Sequence, residues 1–486
     1  MGRQGKFAVL KEKKMNQLLI DFYELTMGQA YFLENKHQQQ AYFDVFFRRM
    51  PDNGSFVIAN GIGQIVEYLK TFAFSEEDIT YLKSLNKFDE RFLNHLKTVR
   101  FTGDMWAVEG GTIVFENEPV ITIKAPLLEA QLIETMLLLL FNRSSLITTK
   151  AARIVLSAKG KSVMEFGTRR AQGISAAVDG ALDTYIAGCV GTACTQAGFQ
   201  FGIPVLGTMA HSFVQSFESE YEAFKAYAKA FPNSCTLLVD TYNTLKKGVP
   251  NAIKVYKEVL KPMGQTLKGI RIDSGDLAYL SKQARQMLNE AGLKETQIIV
   301  SNSLDEFLIS SLMEQGAPID VFGVGENMIT AKSQPVFGGV YKLVALEENG
   351  NIIPKIKLSD NESKTTNPHF KKIFRLYDKN NMFITDIISL FDEKAPEGKV
   401  ELVHSQNDWV RKTVEDFVVT EPKIKMFENG KQIYALKSIL QTRQKVKDEL
   451  ATLWPEAKRI YNPHIYTINL SEKLKTIKNE LIQSNH

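Results

Sequence analysis

Residues 269–277 read Gly269-Ile270-Arg271-Ile272-Asp273-Ser274-Gly275-Asp276-Leu277. A short apolar run stops on small and polar residues, and a helical stretch over 277–292 follows. A buried strand that feeds a helix through a polar turn is one half of a βαβ unit.

The same pattern recurs along the chain. Apolar runs at 162–166, 204–209, 236–240, 297–302 and 320–325 also end in small or polar residues. A helical stretch rich in Ala and Glu at 213–230 joins two of them. Strands alternating with helices at this spacing predict a parallel sheet. Six units within about 165 residues suit an irregular (β/α) barrel better than an open sheet.

Outward from this core the pattern changes. Upstream, 41–48 reads as an aromatic-rich strand, Pro51-Asp52-Asn53-Gly54 as a turn, and 55–59 as the strand returning from it. Short strands follow at 112–115 and 120–123, and Pro126 opens a helix through 141. Downstream of Gly338-Gly339, strand-like runs occupy 340–346, 352–358, 373–376 and 382–390, and a more charged stretch ends in a helical tail. The expected α/β organisation has four parts. Residues 1–14 form a mobile extension. An N-terminal mixed α/β domain spans 15–145 and is completed by strands from 341–400. The barrel with the active site spans 146–340. A smaller C-terminal domain, 400–486, is an appendage.

Composition narrows the function. The chain has 486 residues, 44% of them hydrophobic and 23% charged, which excludes bulk disorder. A net charge of +4 without a long basic block excludes an obvious nucleic-acid binder. Residues 184–217 carry no Asp, Glu, Lys or Arg, but Gly188, Gly191, Gly198, Gly202, Pro204 and Gly207 interrupt them, so no membrane span is expected. Cys189, Cys194 and Cys235 make neither a disulfide framework nor a Cys-x-x-Cys pair. With no apolar run of signal length before Met15, they point to a reducing, cytoplasmic location.

Barrel chemistry sits at the C-terminal ends of the strands. There the sequence sets Glu165-Phe166-Gly167-Thr168-Arg169-Arg170, Gly207-Thr208-Met209-Ala210-His211-Ser212, Asp240-Thr241-Tyr242, Arg271 through Asp276, Ser301-Asn302-Ser303 and Gly323-Val324-Gly325. Arg169, Arg170 and Arg271 would converge on a phosphate or carboxylate. Asp240 and Asp273 would hold sugar hydroxyls or a magnesium ion. A turn at Gly323 and Gly325 would cradle phosphate on backbone N–H groups. Thr208, Ser274, Ser301 and Asn302 complete the substrate-binding set. Of the seven histidines, His211 alone falls at a strand end.

With these residues in view, the chain resembles the nicotinate phosphoribosyltransferase family. The resemblance rests on FGTRRAQG (166–173), GTMAHSF (207–213), VDTYNT (239–244), IRIDSGDL (270–277), VSNSLDE (300–306) and FGVGENMIT (322–330). It extends to DFYELTMGQAYF (21–32), FFRRMPDNGSFVIANG (46–61), GGVYKLV (338–344) and LWPEAKRIYNPHIY (453–466). It implies a type II phosphoribosyltransferase fold. The activity it implies is transfer of phosphoribose from phosphoribosyl pyrophosphate to nicotinate, giving nicotinate mononucleotide and pyrophosphate. Magnesium is the implied cofactor and ATP the co-substrate. It also implies stacking of the pyridine ring on Phe166 and on Tyr23, the latter from the second subunit of a homodimer. His211 would be a phosphohistidine, with Arg271 and Asp273 as its catalytic neighbours. Neutral imidazole can act as a nucleophile without a separate strong base, and the helix expected from Phe213 would steady the added charge.

Ala193 in GTACT (191–195) stands where the related nicotinamide-using enzymes carry aspartate, which favours an acid over an amide as the base. The alternatives are nicotinamide phosphoribosyltransferase, a non-catalytic paralogue, and a sugar-phosphate aldolase. The second has no physical need for His211, Arg271 and Asp273 together. The third normally wants a lysine at a strand end, and the six clusters contain none.

Overall fold

A computed structural model describes residues 17–358, 365–403 and 411–484; the expected extension 1–14 lies outside them. Among the described residues, Thr149–Pro335 form one compact unit. Those up to Thr148, together with those from Val336 onward, form the other.

The first unit is built on a six-stranded parallel sheet. Its spatial order is Gly191–Thr192, Ser162–Glu165, Val321–Val324, Gln297–Ser301, Gly269–Ile272, Thr236–Leu238. Parallel strands must be covered on both faces, and these are: Val163, Leu237, Ile270, Ile298, Val300 and Phe322 on one face are at most 1% exposed, and Leu238, Ile299 and Val321 on the other at most 4%. Helices Ile174–Ala187, Leu277–Glu290 and Glu306–Glu314 connect the strands. Each of the last two starts where an aspartate accepts a backbone N–H, Asp276 from Tyr279 and Asp305 from Leu308.

Three expectations fail here. The ladder does not close into a barrel, since the 191–192 and 236–238 strands are the sheet's outer members. The run at 204–209 is not a strand either. Pro204 has no N–H to donate, and the segment makes one parallel bridge, Val205 with Thr192. The helix expected over 213–230 is also broken, into His211–Gln215 and Glu220–Ala230. Ser219 caps the second piece by accepting from the Glu222 N–H at 3.3 Å.

The second unit centres on a seven-stranded antiparallel sheet. In order it holds Asn351–Pro354, Gly339–Glu348, Gln40–Phe47, Ile121–Pro126, Asp104–Val108, Lys423–Glu428 and Lys431–Gln432. The 400–486 stretch is therefore no separate appendage, because Lys423–Glu428 pairs with Asp104–Val108. The expected 41–59 hairpin is absent too. Both edges of Gln40–Phe47 are occupied by Gly339–Glu348 and Ile121–Pro126, so Val57–Ile58 pairs elsewhere, with Ile113–Val114. The helix expected over 126–141 breaks at Ile133 into Leu127–Leu132 and Glu134–Ser157. Among the described residues no helix is long and apolar enough to cross a membrane, and the three cysteines are buried thiols that form no disulfide.

Candidate active site

Parallel register brings the strand ends to one edge. Ile299 pairs with Val321 and with Arg271, Val324 with Glu165, and Glu165 with Thr192. The polar residues that follow each strand therefore emerge side by side.

Arg271 is the hub. Its side chain is 16% exposed, and each guanidinium nitrogen has a partner. Nε donates to Ser301 Oγ at 2.9 Å, Nη1 to Thr208 Oγ1 at 3.2 Å and Nη2 to Asp273 Oδ1 at 3.1 Å. Ser301 Oγ also donates to Asp273 Oδ1. The guanidinium carbon lies 5.4 Å from the centroid of the Phe166 ring, within cation–π range. Three donors fixed by three acceptors hold a permanent positive charge in one orientation.

Asp240 forms the next layer. Its Oδ2 accepts from the Asp273 N–H at 2.9 Å and from Ser274 Oγ at 2.5 Å. Its Oδ1 is buried and has no hydrogen-bond partner among the described residues. The nearest cationic candidate is His211, whose Nε2 lies 3.9 Å from Asp240 Oδ1 and 3.7 Å from Asp273 Oδ2. Both separations exceed hydrogen-bond length. The other ring nitrogen, Nδ1, sits 3.2 Å from Thr241 Oγ1. His211 itself opens its helix, which has five residues rather than the long run expected from Phe213.

Phe166 follows the Ser162–Glu165 strand, and its N–H donates to Val324 O at 2.7 Å. Gly323 lies within a strand, not in a turn, and a Cβ there would stand 2.6 Å from the Phe166 ring. Gly325 precedes a single helical turn, Glu326–Ile329.

The structure thus gathers Phe166, Thr208, His211, Asp240, Arg271, Asp273, Ser274 and Ser301. It does not draw all three arginines together. Arg169 is exposed, and Arg170 Nε lies 3.6 Å from Glu326 Oε2. Asn302 sits at φ 92° and its Oδ1 accepts from Ser303 Oγ at 3.1 Å. Tyr23 belongs to the other unit, on helix Phe22–Leu33, 44% exposed. Burial and the nearby Glu134 and Glu24 push its phenol well above the usual range.

Sequence reasoning passed over Thr241, although it follows Asp240 directly, and Glu165, a carboxyl closing an apolar run. Glu165 is completely buried, its carboxyl shared between the Gly167 N–H and Thr192 Oγ1. Burial pushes its pKa up, and those two bonds oppose the rise.

Comparison with known proteins decides the family. Three nicotinate phosphoribosyltransferase profiles match in chain order: the N-terminal domain over 18–142, the family core over 161–382 and the C-terminal domain over 370–478. The chain belongs to the nicotinate phosphoribosyltransferase family. A Bacillus subtilis nicotinate phosphoribosyltransferase is 43% identical over 93% of this chain and 92% of its own. One from Mycobacterium tuberculosis is 42% identical over 78% of this chain and 79% of its own. The crystal structure of human nicotinic acid phosphoribosyltransferase superposes with a TM-score of 0.85 at 30% identity, covering 95% of this chain and 99% of that one.

Among the described residues no group of three or more His, Cys, Asp and Glu is arranged to hold a metal ion. Magnesium needs less, since it takes one or two carboxylates and shares substrate phosphates. Asp240, with its buried unpaired oxygen, and Asp273 fit that requirement.

Proposed function

We propose that this protein transfers phosphoribose from phosphoribosyl pyrophosphate to nicotinate, forming nicotinate mononucleotide and pyrophosphate in NAD biosynthesis. Family membership along nearly the whole chain carries this reading. The strand-end network supplies groups suited to the chemistry.

In this reaction the pyridine nitrogen bonds to the anomeric carbon as the carbon–oxygen bond to pyrophosphate breaks. Positive charge develops on the ribose and negative charge on the leaving group. Arg271, fixed by Ser301, Thr208 and Asp273, offers preorganised positive charge to a phosphate or to the nicotinate carboxylate. Phe166 offers a flat face for the base. Asp240 and Asp273 would hold magnesium, which when bound neutralises charge on pyrophosphate. Arg169, Arg170, Asn302 and the Gly325 turn remain proposed phosphate contacts.

The finer reading couples the reaction to ATP. The γ-phosphate passes to His211 with release of ADP, and water later removes it as inorganic phosphate. The added charge would reorganise the site toward phosphoribosyl pyrophosphate. The working form would be a cytoplasmic homodimer, Tyr23 of one subunit serving the site of the other.

Incubation with γ-labelled ATP tests the coupling. An acid-labile, base-stable label should map to the peptide holding His211. His211→Asn should lose label and ATP stimulation together. Label retained in that variant, or stimulation surviving without it, contradicts the role.

A further inference from the structure

Burying a carboxyl without a counter-ion is costly, so a buried glutamate calls for a reason. Glu165 ends its strand fully buried, beside the residue read here as the base's stacking partner. Glu165 and Thr192 are register partners on adjacent parallel strands, so their side chains share a face. Gly167, two residues on and outside the strand, turns its N–H back to the same carboxyl.

One carboxyl spans both neighbours. Oε1 accepts from the Gly167 N–H, and Oε2 is bonded to Thr192 Oγ1. Thr192 Oγ1 accepts in turn from the Cys194 N–H at 2.9 Å, and Glu165 O accepts from the Ala193 N–H at 2.8 Å. The chain therefore fastens two segments to one side chain: 166–167 with the Phe166 ring, and 192–194 with Ala193. Gly167 admits this geometry, since a Cβ there would lie 2.6 Å from Ile329 and 2.9 Å from Glu165 Oε1.

We propose that Glu165 is a positioning residue that sets the spacing between the Phe166 ring and the Ala193 segment, and so the fit of the pyridine base between them. The proposal rests on the activity reading above. The donors are suited to a carboxylate: the Gly167 N–H has one use, and Thr192 Oγ1, already accepting from Cys194, has its proton to give. Aspartate at 165 would be one carbon–carbon bond, about 1.5 Å, too short to reach both segments.

Glu165→Asp, Glu165→Gln and Thr192→Val test it together. Thr192→Val keeps the shape and removes only the hydroxyl, so it decides the matter if Glu165→Asp fails to fold. Both Glu165→Asp and Thr192→Val should raise KM for nicotinate about tenfold, the scale of one lost bond to a charged group, with kcat changed less than about threefold. KM for phosphoribosyl pyrophosphate should hold. Glu165→Gln, which keeps the length and one acceptor, should restore most of the nicotinate KM. Amide hydrogen exchange supplies a readout that needs no turnover. In Thr192→Val, exchange should quicken in peptides covering 166–170 as well as 190–195, although Gly167 is bonded to Glu165 and not to the Thr192 hydroxyl. Exchange unchanged at 166–170 overturns the tie, and an unchanged nicotinate KM in folded variants overturns its role in base fit. A wild-type protein inactive on nicotinate would sink the activity reading instead, while exchange still judged the tie.

Discussion

Arg271 and Asp273 are joined at 3.1 Å, and the same aspartate presents its other oxygen 3.7 Å from His211 Nε2. One carboxylate thus links the fixed cation of the site to its proposed nucleophile. Removing either end disturbs both halves.

Arg271→Ala should reduce kcat/KM far more than stability. The side chain fills no apolar core, and each charge-assisted bond lost is worth about 1.5–3 kcal/mol, or about one to two powers of ten in rate if expressed in the transition state. Steady-state kinetics beside a thermal melt check this. Catalytic efficiency unchanged in the folded variant contradicts the assignment.

Gly323→Ala should crowd Phe166. The added methyl would meet the ring at 2.6 Å and Ser301 Cβ at 3.4 Å. Overpacking of this kind costs about 1–3 kcal/mol. The melting temperature should fall by a few degrees and KM for nicotinate should rise. A variant with wild-type KM and melting temperature would show that the ring has slack.

How much of this was legible in the sequence depends on where the information lies. Five of the six runs are strands because each is a short buried apolar stretch, and the sheet places their polar ends on one edge. Pro204 opened a run that looked equivalent, yet a missing N–H reduced it to one bridge at Val205. The turn at Pro51 promised a hairpin that sheet occupancy on both sides of Gln40–Phe47 forbids, a long-range fact no local pattern carries. Barrel closure is long-range in the same way. Within the site, Arg271, Asp273 and His211 announced themselves by type and position. Glu165 did not, because its two partners lie on its own loop and on a two-residue strand that has no apolar signature.

Glu24 gives the second unit a pH dependence. It is fully buried on helix Phe22–Leu33, accepts from Thr135 N–H at 3.2 Å and from the Thr135 hydroxyl, and leaves Oε2 without a hydrogen-bond partner among the described residues. Burial, with Glu134 and Asp21 adding to it, raises its pKa from 4.5 to about 7, against the Thr135 bonds. A raised carboxyl pKa means the folded state holds the proton more tightly. Its stabilising contribution is complete below pH 4.5 and is lost as pH rises through about 7. The loss is about 3 kcal/mol. Glu24→Gln should therefore flatten the fall in melting temperature between pH 5 and 8. Parallel curves for the two proteins would contradict the raised value.

Mixing experiments test the proposed shared site. Tyr23→Ala subunits, which lack the stacking ring, combined with His211→Ala subunits, which lack ATP stimulation, should regain ATP-stimulated turnover, because one of the two sites would carry both intact residues. No recovery in a verified heterodimer would count against a site completed by Tyr23 of a partner.

The most direct measurement is the reaction itself. Purified protein with magnesium, nicotinate and phosphoribosyl pyrophosphate should form nicotinate mononucleotide and pyrophosphate in equal amounts, faster with ATP than without. With nicotinamide added as a competing base, the acid should be consumed first. No nicotinate mononucleotide under either condition, or preferential use of nicotinamide, would contradict the account.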